Sequence, residues 1–204
     1  MARVGLNTIK VVGAAADLVD ETGFRALSLA TLAGRLGVRV PSLYKHIDGI
    51  DDLRGRLAIL GRDELAAALN SALAESSGMD ALRATATAYA GYAAEHPGRF
   101  AGIGWTTPDG EAGRALTPIF EQVAAECGVP AAQTAVAAFA IRSVLRGFAD
   151  LRVAGSFGGD DAVIERVFAL LLDMVERSLP QTTGARVKGL VPPPPSIRRK
   201  AATP

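Results

Sequence analysis

The segment from Ser28 to Ile47 constrains the fold more than any other stretch of the chain. Leu29, Leu32, Ala33 and Leu36 recur at i, i+3, i+4 and i+7, so one side of a short helix is apolar. Ser28 stands just before that run, where a hydroxyl caps the free amides of a first helical turn. Gly37 breaks the helix and tolerates a left-handed backbone at the turn. Pro41 then reopens helical structure, its fixed φ suiting a first helical position. Leu32, Ala33, Leu36, Val38, Leu43 and Ile47 would form a small core that fixes the angle between the two helices, and Ala33 suits their close approach. With Leu43 and Ile47 turned inward, Val40, Ser42, Tyr44 and Lys45 are left to point outward or along the flank.

The rest of the chain reads as helix too. Its 38 alanines are close to one residue in five, and aromatics make up only 5%. Alanine loses no side-chain entropy in a helix, whereas strands favour β-branched and aromatic residues, so the expected class is all-α. Cys127 alone cannot build a disulfide framework or a cysteine-rich zinc site. Two histidines, His46 and His96, argue against a histidine-based metal centre, and no cofactor is expected. No apolar run reaches the roughly 18–20 residues of a membrane span, and the N-terminus lacks a signal-peptide pattern. A soluble, cytoplasmic protein is expected.

About nine helices follow from periodicity and punctuation, near residues 7–22, 29–36, 41–47, 50–75, 79–95, 99–104, 111–127, 130–153 and 161–178. The first is capped by Asn7, carries Ile9, Val12, Ala16 and Val19 at helical spacing, and stops at Gly23. Three parts are expected: a three-helix head over 1–47, a helical body over 48–180, and a disordered tail over 181–204 with four consecutive prolines and a basic end. The formal charge of +1 hides a strong asymmetry. The head has six Lys/Arg against three acids, the body eleven against eighteen, and the tail five against none. A basic head on an acidic body suggests that only the head meets a polyanion.

Two short helices joined by a glycine-containing turn are the helix-turn-helix plan, whose second helix enters the DNA major groove. A hydroxyl and an ammonium bond base edges or phosphates there, and a tyrosine packs on sugar while its hydroxyl meets phosphate. The string Ser28-Leu29-Ala30-Thr31-Leu32-Ala33-Gly34-Arg35-Leu36-Gly37-Val38-Arg39-Val40-Pro41-Ser42-Leu43-Tyr44-Lys45-His46-Ile47 closely resembles the DNA-binding core of TetR/AcrR-family regulators. The match spans about residues 7–60, and the helix count is similar to that family's. Leu145-Arg146-Gly147-Phe148 through Gly158 resembles a C-terminal subtype often marked by His-Gly, with Arg146 in place of the histidine.

The resemblance implies a homodimer on a near-palindromic double-stranded DNA operator, acting as a repressor that a small-molecule effector releases. It implies DNA-facing roles for Arg39, Ser42, Tyr44, Lys45 and His46, with Val40 and Pro41 against a thymine methyl or a sugar. For His46 a packed, hydrogen-bonded role at the helix end stands beside phosphate contact. The family commonly has lysine at the start of the fourth helix, where this chain has Ile50. Backbone amides at 49–51 remain available to phosphate, while Asp48, Asp51 and Asp52 repel it.

In the body, Tyr89, Tyr92, Phe100, Trp105 and Phe120, together with Phe139 and Phe148, are core by default and candidate walls of an effector cavity. Arg142 and Arg146 lie one turn apart on a largely apolar helix. Such arginines need a partner when buried: Glu121 or an anionic effector, unless they face solvent or a dimer salt bridge. The small residues of 131–153 and the apolar stripe Val163, Val167, Leu170, Leu171, Met174 and Val175 predict a four-helix dimer interface, against an ordinary monomer core. His96 reads as a helix-end residue and Cys127 as an inert thiol. No nucleophile–base pair, phosphate loop or metal-ligand spacing supports an enzyme. The alternative to a DNA-binding regulator is a helical small-molecule-binding or protein-interaction module whose head has lost DNA binding, an alternative motivated by Ile50 and the acids at 48–52.

Overall fold

The computed structural model describes residues 5–104 and 115–179. Among them are nine α-helices and no strand: α1 (Thr8–Thr22), α2 (Leu29–Leu36), α3 (Val40–Leu43), α4 (Ile50–Ala74), α5 (Gly78–Glu95), α6 (Pro97–Ile103), α7 (Thr117–Glu126), α8 (Thr134–Val153) and α9 (Asp161–Ser178). The all-α expectation and the helix count hold. Trp105 and the tail over 181–204 lie outside the described residues.

Two apolar clusters organise the chain. In the head, Val11, Ala15, Leu18 and Val19 of α1 close on Leu32 and Ala33 of α2, Leu43 of α3, Ile47, and Leu53 and Leu57 of α4. The inward side of α1 differs from the stripe expected from spacing. Ile9 projects into solvent at 83% exposure, and Val11, Ala15 and Leu18 take its place. The reason is tertiary: α2 and α4 close on Val11, Ala15 and Leu18 in the head core, while α6 of the body crosses α1 at Val19 and Asp20. In the body, Leu65, Leu69 and Leu73 of α4 join α5, α6, α7 and α8 in the second cluster. The 25-residue α4 therefore belongs to both cores. At 1.5 Å per residue it is a rod of about 37 Å.

The last helix stands apart. Asp160 caps α9 by accepting from the amides of Ala162 and Val163. Arg83 of α5 holds the helix through two 2.7 Å bonds to Glu176, and Phe168 lies on Phe148 with ring centroids 5.0 Å apart. Yet none of its 18 residues is fully buried. Leu170 and Met174 are 59% and 56% exposed, and the outer side of α8 adds Val136, Phe139 and Leu151 to the same class. Among the described residues, no helix is long and apolar enough to cross a membrane.

Candidate nucleic-acid interface

Local chemistry sets the geometry of the head. The Ser28 hydroxyl accepts from the Thr31 amide at 3.1 Å and the Thr31 hydroxyl accepts from the Ser28 amide, closing both ends of a capping box on α2. Gly37 takes φ 64°, ψ 31°, and the next amide, Val38, bonds back to Ala33 at 3.0 Å. A side chain at 37 would be strained in that left-handed conformation, so glycine allows the chain to reverse within three residues before α3. Arg35 donates two bonds of 2.6 and 2.7 Å to Glu21, tying α2 to the end of α1. Burial is slight there, and the hydrogen bonds from Arg35 hold the Glu21 carboxyl below its usual range.

The recognition segment begins one residue earlier than expected and is shorter as regular α-helix. Four residues, Val40 to Leu43, are α-helical, and Tyr44, Lys45 and His46 form a tightened turn. Its cause is visible in the backbone: His46 and Ile47 both donate to the Leu43 carbonyl, at 2.8 and 3.1 Å. The Thr8 hydroxyl donates to the His46 carbonyl at 3.3 Å and pins the end of this turn to α1. Leu43 and Ile47 are buried in the head core. Arg39, Pro41, Tyr44 and Lys45 face solvent, Tyr44 at 57% exposure, and Val40, Ser42 and His46 are half-buried along the flank. One surface thus brings together a guanidinium, an ammonium, a phenol and a hydroxyl, the donors that phosphate and base-edge contacts require.

Ile50 is half-buried against the head core, which gives an apolar residue at this position a packing role. The acids after it are engaged within α4. Asp52 accepts from the Asp48 amide at 2.9 Å and pairs with Arg56 at 2.9 Å, and Asp51 pairs with Arg54. For Asp52 partial burial opposes ionisation, and the bonds from Arg56 and the Asp48 amide outweigh it, leaving the carboxyl below its usual range.

The candidate effector residues do not form one cluster. Tyr89, Phe100 and Phe120 are fully buried and meet edge to face, with Tyr89 5.5 Å from Phe100 and 6.0 Å from Phe120. Arg146 lays its guanidinium 4.5 Å over the Phe100 ring and pairs with Asp150 at 2.8 Å, so its carboxylate partner is on its own helix and is not Glu121. Burial drives the Tyr89 phenol above its ordinary range, and the nearby charges of Arg146 and Arg142 oppose the rise. One turn before Tyr89 on α5, the fully buried Thr85 hydroxyl has no hydrogen-bond partner among the described residues. Phe139, by contrast, is exposed on α8, and Phe148 belongs to a separate aromatic group with Phe157 and Phe168. Tyr92 turns toward the head, donating to Glu64 at 2.9 Å and meeting the His96 ring at a tilt, centroids 5.0 Å apart. That junction, with Arg99 at its centre, carried no sequence signal, because its partners lie up to 82 positions apart.

Among the described residues no group of histidine, cysteine and carboxylate side chains has the arrangement of a metal site. Residues 82–175 match the family model described as tetracyclin repressor-like, C-terminal domain. An uncharacterized HTH-type transcriptional regulator of Bacillus subtilis, YobS, is 30% identical over 167 residues, covering 80% of this chain and 87% of that protein. A second, Rv0681 of Mycobacterium tuberculosis, is 33% identical over 179 residues, covering 84% and 79%. Among solved structures, a variant of TetR from Acinetobacter baumannii in complex with minocycline superposes with a TM-score of 0.69 at 20% identity, over 89% of this chain and all of that one. A protein of unknown function from a Rhodococcus species gives 0.71 at 24% identity, over 86% and 96%.

Proposed function

Because the chain belongs to the TetR family of helix-turn-helix transcriptional regulators, we propose that it is a ligand-responsive repressor that grips a near-palindromic operator as a homodimer in the cytoplasm. The observation that carries this reading is one pairing. An outward-facing, cationic recognition segment sits on a chain whose α8 and α9 leave Phe139, Leu170 and Met174 uncovered. An 18-residue amphipathic helix that buries nothing fully against its own chain gains that burial from a symmetry mate. Two copies joined through α8 and α9 hold two recognition segments, and a spacing of about 34–36 Å sets them in successive major grooves.

In this reading the head over 1–47 carries Arg39, Val40, Pro41, Ser42, Tyr44, Lys45 and His46 to the DNA, and the body over 48–180 binds effector and dimerises. Lys45 and Arg39 meet phosphate, Ser42 reads a base edge, and Tyr44 packs on sugar. The effector enters the body beside Tyr89, Phe100 and Phe120, with Arg142 and Arg146 as its polar contacts. The unpartnered Thr85 hydroxyl supports this placement, since a buried polar group without a partner is rare in a finished core. A TetR variant with this fold was solved in complex with minocycline, which supports a small-molecule effector here. Ligand acts by binding one head spacing more tightly than the other, since only differential affinity shifts an equilibrium.

Selection of bound sequences from a randomised duplex pool at about 100 mM salt, where phosphate contacts are screened but present, tests the DNA reading. The expected product is a palindromic consensus. Enrichment of nothing by a fully helical protein would replace the repressor with a ligand-binding module.

A further inference from the structure

At the junction between head and body one guanidinium meets carboxylates from both sides. Arg99, the third residue of α6, has a side chain only 14% exposed, and it meets three carboxylates on two other helices. Its terminal nitrogens reach Asp17 of α1 at 3.1 Å and both oxygens of Glu64 of α4 at 3.1 Å. Its Nε lies 2.8 Å from Asp20 of α1, an ion pair rather than an aligned hydrogen bond, and its backbone amide donates to the other Asp20 oxygen at 2.8 Å. Glu64 is itself held by the Tyr92 hydroxyl at 2.9 Å, and His96 Nδ1 stands 3.4 Å from Asp20. Burial works against the Arg99 charge, but Glu64 and Asp20 more than compensate, so the group stays cationic.

Around this fork the backbones nearly touch. A Cβ on Gly98 would sit 2.0 Å from the Val19 carbonyl oxygen, and one on Gly61 would sit 3.0 Å from the Arg99 carbonyl oxygen. Glycine contacts of this kind bring helices close without interlocking side chains that would fix their angle. The rigid planar fork supplies the missing direction, since five fixed donors match carboxylates in one orientation and a lysine offers only a point charge. Arg99 and Asp20 are each only 14% exposed, so that pair is screened less than a surface ion pair, whereas Asp17 is 60% exposed and its pair stays open to screening by salt.

We propose that Arg99 is the positioning residue of the DNA-binding head. It sets the orientation of α1, and of the recognition segment pinned to α1, relative to the body. It is also where a displacement of α6 reaches the head. This rests on the regulator reading above only in its DNA arm. Removing the fork leaves head and body folded but lets the angle between them wander.

The test uses the full chain with Cys127→Ser, and spin labels at Ala30→Cys in the head and Gln122→Cys in the body, both exposed. Labelled chain is diluted with an excess of unlabelled chain, so that each dimer carries one labelled protomer, and the distance distribution is read by pulsed dipolar spectroscopy. In the otherwise unaltered protein the distribution is narrow. Arg99→Gln at least doubles its width at unchanged helical content, and Arg99→Lys falls between. In the DNA arm, the parent discriminates tenfold or more against an operator whose half-sites are one base pair further apart, and Arg99→Gln discriminates less than threefold. A folded Arg99→Gln protein with the parent's distance width overturns the proposal, whether or not DNA binds. Failure to select any DNA, with the width doubled, overturns the regulator reading and leaves the positioning role standing. Should Arg99→Gln not fold, Asp17→Asn cuts one of the two ties to α1, and an unaltered width in that variant overturns the proposal.

Discussion

Replacing Gly98 with alanine adds one methyl group at the tightest helix crossing in the described chain, and its cost follows from the geometry. The new Cβ would lie 2.0 Å from the Val19 carbonyl oxygen, 2.1 Å from the Val19 carbonyl carbon and 2.6 Å from the Asp20 amide nitrogen. Ordinary Cβ contacts lie at 3.4–4 Å, and real ones essentially never fall under 3.0 Å. All three neighbours are helix backbone, so no rotamer change relieves the overlap and α1 and α6 must part by about an ångström. Overpacking typically costs about 1–3 kcal/mol, and a clash with backbone belongs at the upper end, near 3 kcal/mol. In a chain of this size each kcal/mol moves Tm by about 2–4 °C, giving a fall of about 6–12 °C. Gly13 provides the opposite sign on the same helix pair. It is exposed within α1 with nothing inside 4 Å of its would-be Cβ. Gly13→Ala removes unfolded-state freedom and raises stability by about 0.5–1 kcal/mol. Thermal unfolding followed by circular dichroism, at one fixed protein concentration because any self-association couples to Tm, measures both. A Gly98→Ala protein that melts within a degree of the parent would refute the close crossing.

Three further outcomes are expected. Lys45→Ala weakens DNA binding on every sequence and lowers the slope of log affinity against log salt by about 1, whereas Ser42→Ala changes which sequences are preferred; binding isotherms on the selected consensus and its single-base variants separate the two. Joint Leu170→Glu and Met174→Glu substitution places charge on the uncovered side of α9, and sedimentation should find a single 21.1 kDa species where the parent should sediment at twice that mass. At Cys127, burial first and then Glu176 and Glu126 push the thiol up to about 11 from an ordinary 9.0. Alkylation of the native protein should therefore run about 100-fold slower at pH 8 than at an ordinary thiol and rise with pH toward 11, and a rate profile with its midpoint near 9 would contradict the burial.

Where the determinants are local, they were legible. Ser28, Gly37 and Pro41 act within four residues of themselves, and the structure places a cap, a left-handed turn and a first helical turn at those positions. The outward stripe of Leu170 and Met174 is likewise a matter of periodicity. What escaped depends on neighbours distant in sequence. Ile9 and Val11 are equally apolar, and the closing of the head core on α1 buries Val11 and leaves Ile9 in solvent. Tyr92 resembles any core tyrosine until Glu64 draws its hydroxyl to the junction. Phe139 and Phe120 are indistinguishable by type, yet one faces solvent and the other the core.

The division of labour within the chain follows from this. A recognition segment with only four regular α-helical residues has little stiffness of its own. Its placement depends on Leu43 and Ile47 in the head core and on Thr8 holding the His46 carbonyl. The head core continues into α4 through Leu53 and Leu57, and the body core takes up the same helix from Leu65. A continuous helix shared by two cores transmits rotation about its own axis but leaves the tilt of α1 against the body undetermined. α1 also meets the body at α6, where Gly98 lets the two backbones approach with no side chain between them, while nearby Gly102 receives the Phe24 ring. At this crossing, then, directionality rests on the charged fork of Arg99 against Asp17, Asp20 and Glu64. Ion pairs weaken with salt far more than apolar packing does. The head–body angle should therefore loosen as ionic strength rises, while both cores keep their helices. A distance distribution between head and body labels that is as narrow at 1 M salt as at 0.1 M would assign that angle to packing and not to charge.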